Sequence, residues 1–114
     1  MEIIKNIEKN KVFDFTKEVE YLENQIVSKT IIQDKQKSIT IFSFDKNQEI
    51  ATHKSKGDAI VQIIDGTGLI TIDGKEHILQ KGQSIVMQAG LAHSLYAKEK
   101  FKICLLYTSP SPRD

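Results

Sequence analysis

His53 and His93 are the residues of this chain best suited to chemistry, because each lies in a glycine-punctuated segment rich in strand-forming residues. The first segment is FDKNQEIATHKSKGDAIVQIIDGTG and the second is KGQSIVMQAGLAHSLY. In a small double-sheet barrel, this spacing brings two distant histidines into one pocket. Imidazoles that converge on an apolar cavity are a usual starting point for a metal site or an acid–base site.

The segments that carry the histidines must be positioned by β-strands, since no amphipathic helix separates them. Strand patterns recur about every ten residues from Gln25 onward, with turn signals between them. IVSKTIIQ is apolar and β-branched, and SITIFSF alternates between apolar and polar residues. In LITIDGKEHIL, Asp73-Gly74 stands between two alternating runs, which is a favoured sequence for a type I′ hairpin. This rhythm favours a β-sandwich or jelly roll over a fold of alternating strands and helices.

The glycines around AIVQII outline a further predicted strand. This continuous apolar run lies between Gly57 and Gly66, and such runs are typical of a strand buried on both faces. Gly66-Thr67-Gly68 is predicted to be a turn, since it joins two strands and no helix follows it to bind a phosphate. His77, in the next hairpin, is expected to be solvated.

The bulk composition excludes several classes of partner. With 114 residues, 39% hydrophobic and 27% charged, the chain fits one folded domain. The net charge is +1 and no basic block is visible, so we expect no nucleic-acid partner. No apolar run approaches the roughly 20 residues that span a bilayer, so we expect no membrane partner. MEIIKNIEKNK lacks the apolar stretch of a signal peptide, and a cytoplasmic location is therefore expected.

The two ends of the chain differ in character from its strand-rich middle. Residues 1–24 are polar and weakly periodic, and VEYLEN within them fits either a short helical turn or a loop. CLLYTSPSPRD, residues 104–114, resembles the translation of a transposase adapter used in sequencing libraries, and the alternative is a natural disordered tail. We therefore expect an N-terminal segment over 1–24, a barrel over 25–103 and a non-native tail over 104–114.

From about Ile39 to Ile103, the chain resembles a single-domain cupin. The first cupin motif is Gly, five residues, His-x-His, three or four residues, Glu, six residues and Gly. Its positions are occupied, in order, by Asn47, His53, Ser55, Ala59 and Gly66. The second motif is Gly, five residues, Pro-x-Gly, two residues, His, three residues and Asn. It is matched by Gly82, Gly90 and His93, with Gln88 in place of the proline and Ala97 in place of the asparagine. The resemblance implies an all-β fold, the double-stranded β-helix or jelly-roll cupin barrel, with little helix. HKSKGDAIVQIIDGTG is also similar to a group of small bacterial cupins, mostly without assigned activity.

The resemblance also bears on metal binding. A standard cupin site offers three histidines and a glutamate to iron, manganese, nickel or zinc, and this chain keeps two of these four residues. The implied ligands of a weak divalent metal site are His53 and His93. Catalytic zinc usually has three protein ligands, and non-haem iron has two histidines and a carboxylate. Asp58 is the nearest candidate carboxylate, but strand alternation places it opposite Ala59.

Alternation within the implied barrel predicts which residues line its interior. His53 and Ser55 share one face of their strand. Ala59, Val61 and Ile63 share another face, and His93 and Leu95 a third. The cupin register places these three faces inside the barrel, with Met87 as a further part of the apolar wall. The predicted ligand-binding set is therefore His53, Ser55, Ala59, Val61, Ile63, Met87, His93 and Leu95. Such a pocket is apolar, with two imidazoles and one hydroxyl, and it suits a small organic ligand. The alternative for each histidine is a core residue bonded to the backbone.

Three functions are compatible with these residues. The first is a binding module that holds a small molecule, with the two histidines as its polar contacts. The second is a metal-dependent cupin enzyme of the dioxygenase or isomerase type. The third is a role in a larger assembly, because cupins resemble one another in forming homodimers and Val27, Ile31 and Ile32 offer an apolar face. We expect a small-molecule ligand and a homodimer.

Overall fold

The structure is a computed structural model that describes residues 2–109. Within these residues, one short 3₁₀ turn precedes eight β-strands. The turn is Phe15–Lys17, and the strands are β1 Ile26–Gln33, β2 Lys37–Phe44, β3 Glu49–His53, β4 Ala59–Ile72, β5 Lys75–Gln80, β6 Ser84–Met87, β7 His93–Tyr96 and β8 Phe101–Thr108. The prediction of an all-β chain with little helix is confirmed. Over residues 2–109, no helix has the length and apolarity needed to cross a membrane.

The strands form one curled antiparallel sheet whose two halves share β4. The strand order is β1-β2-β8-β4-β7-β3, and β5 and β6 also pair with β4. Residues 59–66 of β4 pair with β6 and β8, whereas residues 67–72 pair with β5 and β7. A strand that passes from one half to the other closes the sheet around a common core, which is the jelly-roll arrangement.

The prediction that Gly66-Thr67-Gly68 is a turn is wrong, because β4 runs through all three residues. The pairing of β4 with β8 shifts register between Ile63 and Asp65, and Gly66 has a φ of 76°. A bulge of this kind bends a strand without ending it. Gly68 serves close packing, since a Cβ there would lie 2.6 Å from a ring carbon of Phe101. The two glycines therefore mark a bend and a close contact.

The prediction that AIVQII is buried on both faces is also wrong. Val61 and Ile63 are fully buried, but Ile60 between Ala59 and Val61 is 41% exposed. The cause is that β4 lies in an antiparallel sheet that packs against the core with only one face. The run therefore alternates in burial although all but one of its residues are apolar.

The hairpin predicted at Asp73-Gly74 is present. Ile72 pairs with Lys75, so a two-residue loop connects β4 and β5. Asp73 has a φ of 51° and Gly74 a φ of 81°, and a type I′ turn needs positive φ at both central residues.

The N-terminal segment packs on the outer face of β1 and β2. Val19 is buried and packs in a cluster with Ile31 and Ile41. Val27 and Ile32 pack against the same cluster. The apolar face expected for a homodimer is therefore covered by the chain's own N-terminal segment. VEYLEN within that segment is a loop and contains no helix.

The expected tail begins inside a strand. Cys104–Thr108 belong to β8, which pairs with β2 on one side and β4 on the other. The apolar residues Leu105 and Leu106 favour this extension of the strand that begins at Phe101. Residue 104 is thus not a structural boundary, while residues 110–114 lie outside the described part of the chain. The non-native origin of residues 104–114 stays a prediction.

Candidate ligand-binding site

The structure brings the two histidines into direct contact. His53 is the last residue of β3 and His93 the first of β7, and they are paired across the two strands. Their Nε2 atoms lie 3.1 Å apart. The ring centroids are 4.2 Å apart, with an angle of 67° between the ring planes. Two imidazoles separated by 40 positions in sequence thus form one pair, which we call the histidine couple.

Backbone hydrogen bonds between the flanking loops hold the couple in place. The Gly90 amide, in the turn before β7, donates to the carbonyl of Ser55, in the loop after β3. The Asp73 amide of the β4–β5 hairpin donates to the carbonyl of Ala92, next to His93. Gly90 has a φ of 83°, a conformation that suits glycine. The turn before β7 and its backbone hydrogen bonds therefore fix the position of the His93 backbone at the start of that strand.

The Nδ1 atoms of both rings face backbone carbonyls. His53 Nδ1 lies 3.1 Å from the Ala51 carbonyl oxygen, and His93 Nδ1 lies 3.2 Å from that of Leu91. A carbonyl oxygen can only accept a hydrogen bond, so each of these contacts needs the ring proton on Nδ1, whereas the contact between the two Nε2 atoms needs a proton on one Nε2. Two neutral rings carry two protons for these three contacts, so one contact lacks a proton unless a ring is protonated.

The two rings differ in burial. His93 is 3% exposed, whereas His53 is exposed. Burial lowers the pKa of His93 below its usual value, because the charged imidazolium is poorly solvated there. The nearby His53 lowers that pKa further, and the hydrogen bond to the Leu91 carbonyl opposes both effects. The neutral form of His93 is therefore favoured in the folded protein.

The couple lies at the wall of an apolar cavity of about 220 Å³. The residues that line it are Phe42, Ile50, His53, Ser55, Ala59, Met87, His93, Leu95, Ile103, Leu105 and Tyr107. Six of the eight residues expected to bind a ligand are among them. The two imidazoles, the Ser55 hydroxyl and the Tyr107 hydroxyl are its polar side-chain groups.

Val61 and Ile63, the other two expected residues, do not line the cavity. They share the inward face of β4 with Ala59, as alternation predicts. Both are fully buried in the core cluster with Phe44 and Phe101, whose stacked rings fill that part of the barrel. Alternation identifies the face of a strand correctly, but it does not show how far along the strand the cavity extends.

Sequence reasoning missed five residues of the wall. They are Phe42, Ile50, Ile103, Leu105 and Tyr107. The sequence contains a signal for Phe42, because it lies two residues before the inward-facing Phe44 on β2 and so shares its face of the strand. Its contact with the cavity depends on the pairing of Phe42 with Ile103, which is a register between strands distant in sequence. The Tyr107 hydroxyl also accepts a hydrogen bond from the Gly57 amide at 3.2 Å.

The donor set does not fit a tightly bound divalent metal. Among residues 2–109, no group of three or more His, Cys, Asp or Glu side chains is arranged to hold a metal ion. Ala59 supplies no ligand where the cupin motif has glutamate, and the Ser55 hydroxyl donates to the Gly57 carbonyl. Asp58 cannot replace the glutamate, because its carboxylate accepts the Ala89 amide at 2.7 Å. Two neutral nitrogens are fewer ligands than the three that catalytic zinc usually has.

Comparison with known proteins gives a consistent family. The chain is similar to a conserved protein of unknown function from Streptococcus pyogenes, SPY1581, at 46% identity and a TM-score of 0.93, with 97% of each chain covered. It is 38% identical to a cupin 2 conserved barrel domain protein from Leptotrichia buccalis, with a TM-score of 0.82 over 85% of this chain and 47% of that one. A cupin superfamily protein from Desulfitobacterium hafniense shares the fold at 24% identity and a TM-score of 0.89, with 93% and 97% of the two chains covered.

A search of the curated proteins found no match. The Cupin domain family, in contrast, matches residues 40–108, which is more than half of the chain. The matched range contains both histidines, the strand β4 that joins the two halves of the sheet, and every residue of the cavity wall. On this match and the shared barrel, the protein belongs to the cupin family.

Proposed function

We propose that this cupin binds a small, largely apolar molecule in the barrel cavity, with His53 and His93 as its polar contacts. The observation that carries the proposal is the position of the histidine couple on the wall of a cavity whose other residues are mostly apolar. A concave apolar site with a few converging polar groups is the usual form of a small-molecule site.

The size of the cavity limits the ligand. Its volume of about 220 Å³ is below the roughly 300–1,000 Å³ of drug-sized sites. An engineered apolar cavity of about 150 Å³ holds benzene. The ligand is therefore a benzene-sized or branched aliphatic group with one polar head, and it is not a nucleotide or an oligosaccharide.

The chemistry of the wall favours binding over metal-dependent catalysis. A divalent cation at the couple has two nitrogen ligands and no carboxylate to offset its charge. The apolar side chains around it, including Leu95 and Ile103, supply no further ligand. A neutral or weakly polar organic molecule needs only the contacts that these residues provide.

The experiment is a ligand-observed NMR and thermal-shift screen of small apolar molecules against the purified full chain. Ala59→Leu places a larger side chain in the cavity, since Ala59 is buried and lines it. Ala51→Leu is the matched control, because Ala51 is exposed on β3 and does not line the cavity. We expect binding to be lost in Ala59→Leu and kept in Ala51→Leu. Binding that survives in a folded Ala59→Leu protein contradicts the proposal.

A further inference from the structure

We propose that Asp58 is a positioning residue that keeps the entrance of the cavity closed, because its carboxylate ties the turn before His93 to the loop after His53. This inference rests on the proposed binding function and adds how access to the site is controlled. It assigns a role to the one carboxylate near the cavity, which is not free to hold a metal ion.

The exposure of the wall residues locates the entrance. Among the described residues that line the cavity, only His53 is exposed, and the others are buried or half-buried. His53 is the last residue of β3, which lies at the edge of the sheet and pairs with β7. The register of that pairing shifts between Ile50 and His53. The cavity therefore reaches the surface where β3 ends, between residues 54–58 and the turn before β7.

Two hydrogen bonds close this entrance. The turn of residues 88–91 is closed by a bond from its last amide to its first carbonyl, and Gly90 within it has a φ of 83°. The two central amides of the turn are thus left without a partner inside it. Ala89 donates to the Asp58 carboxylate at 2.7 Å, and Gly90 donates to the Ser55 carbonyl at 3.0 Å. We call these two bonds the entrance clasp.

Asp58 is held firmly on its other side by β8. Its carbonyl accepts from the amide of Thr108 at 3.0 Å and from the Thr108 hydroxyl at 2.7 Å. A Cβ on the preceding Gly57 would collide with the carbonyl oxygen of Thr108. The amide bond and the close approach involve only backbone atoms of Thr108, so they do not depend on the side chain at that position. Asp58 therefore connects a fixed strand to the turn that leads into His93.

The entrance clasp is the least costly part of the wall to open. A carboxylate makes a stronger bond to a backbone amide than a neutral acceptor does, but Asp58 is exposed and water competes with this bond. Opening breaks two hydrogen bonds and separates no large apolar side chains. Segments with few buried apolar contacts open locally without global unfolding. Loss of the carboxylate should therefore raise the fraction of molecules with an open entrance, while the barrel stays folded.

The test measures access to the cavity by the labelling of a buried thiol. Ala59→Cys, in a Cys104→Ser background, places the thiol on the cavity wall, since Ala59 is buried and lines it. The reagent is methyl methanethiosulfonate, and mass spectrometry follows the reaction on the full chain. When closing is faster than labelling, the rate follows the fraction of open molecules. We expect Asp58→Ala to label about five- to tenfold faster than this parent protein, which corresponds to the loss of one hydrogen bond. Asp58→Asn keeps an acceptor oxygen and should label more slowly than Asp58→Ala.

Two matched controls separate opening of the entrance from general loss of stability. Asp45→Ala removes an equivalent bond far from the cavity wall, because the Asp45 carboxylate accepts the Asn24 amide at 2.7 Å. Gly90→Ala strains the entrance clasp without changing a charge, and Gly82→Ala is its control. Both glycines have positive φ, and a Cβ at either would meet no atom within 4 Å. We expect faster labelling in Gly90→Ala than in Gly82→Ala.

The outcomes distinguish this inference from the proposed function. If Asp58→Ala labels no faster than Asp45→Ala, the entrance is not held by Asp58 and the inference is wrong, whatever the ligand screen finds. Equal labelling of Asp58→Asn and Asp58→Ala also contradicts it, since the acceptor oxygen then has no effect. If Asp58→Ala labels faster but the screen finds no ligand, the role of Asp58 in access stands and the proposed binding function is rejected.

Discussion

Lys102 Nζ lies 4.7 Å from the ring centre of Tyr21, so a lysine that is only 9% exposed links β8 to the N-terminal segment. The same ammonium donates to the carbonyl of Thr16. A cation–π contact and a hydrogen bond from a charged donor replace the water that burial removes. The lysine therefore attaches residues outside the Cupin domain match to the barrel.

Replacing Lys102 should loosen this attachment and leave the cavity intact. Lys102→Met keeps the length of the side chain and loses both polar contacts, so we expect a loss of about 2 kcal/mol in the free energy of unfolding. Urea denaturation measures this loss. Lys98→Met is the control, because Lys98 is exposed. Equal stability of the two variants contradicts a role for the Lys102 contacts.

The burial of His93 predicts how stability depends on pH. Since its pKa is lowered in the folded protein, mainly by burial, the unfolded chain binds a proton more readily than the folded one. The stabilisation is present above the unfolded pKa of about 6.5 and is lost as the pH falls through the folded value. We therefore expect ligand-free protein to lose stability on acidification from pH 8 to pH 5. Urea titrations across this range should show a weaker dependence for His93→Phe, with His77→Phe behaving as wild type.

The missing carboxylate predicts a gain-of-function variant. Ala59→Glu places a carboxylate beside His53 and His93 and restores the two histidines and one carboxylate that bind non-haem iron. We expect Mn²⁺ or Fe²⁺ to raise the melting temperature of this variant by several degrees and to leave wild type unchanged. Without metal the variant should be less stable by about 1–3 kcal/mol, because a carboxylate is buried.

Ala51→Glu controls for non-specific ion binding, since Ala51 is exposed and outside the cavity. Chelation of wild-type protein with EDTA should leave its melting temperature unchanged. If a metal ion raises the melting temperature of wild type as much as that of Ala59→Glu, the conclusion that wild type has only two nitrogen ligands for a metal is contradicted.

The close contact at Gly68 predicts a steric effect on the fold. Gly68→Ala introduces a Cβ 2.6 Å from the Phe101 ring, which stacks on Phe44 at 4.6 Å. Moving that ring disturbs the core, and we expect a loss of about 1–3 kcal/mol. Thermal unfolding provides the measurement, with Thr67→Ala at an exposed position as the comparison. If Gly68→Ala and Thr67→Ala have the same melting temperature, the core accommodates the added Cβ without loss of stability and the prediction is wrong.

Local signals made much of the fold predictable. Asp73-Gly74 identifies its hairpin because positive φ at two successive residues is a local requirement. The spacing around His53 and His93 carries the family resemblance, and through it the closed barrel. The sequence Gly66-Thr67-Gly68 does not predict its own structure, because glycine suits a turn, a bulge and a close contact equally well, and only the packing of Phe101 distinguishes them.

The cavity was less predictable than the fold. Its wall depends on register between strands that are distant in sequence, as in the pairing of Phe42 with Ile103. It also depends on where bulky core residues stop, which separates Ala59 in the cavity from Val61 in the core. Alternation alone contains neither kind of information.

The last strand has a consequence for how the cavity can be altered by substitution. Leu105 and Tyr107 reach the cavity from β8, whereas the couple sits on β3 and β7. Substitutions at Leu105 or Tyr107 therefore alter the size and polarity of the cavity from β8, at positions outside the histidine couple. The preference of the cavity for one ligand over another can thus change while the imidazole pair stays the same.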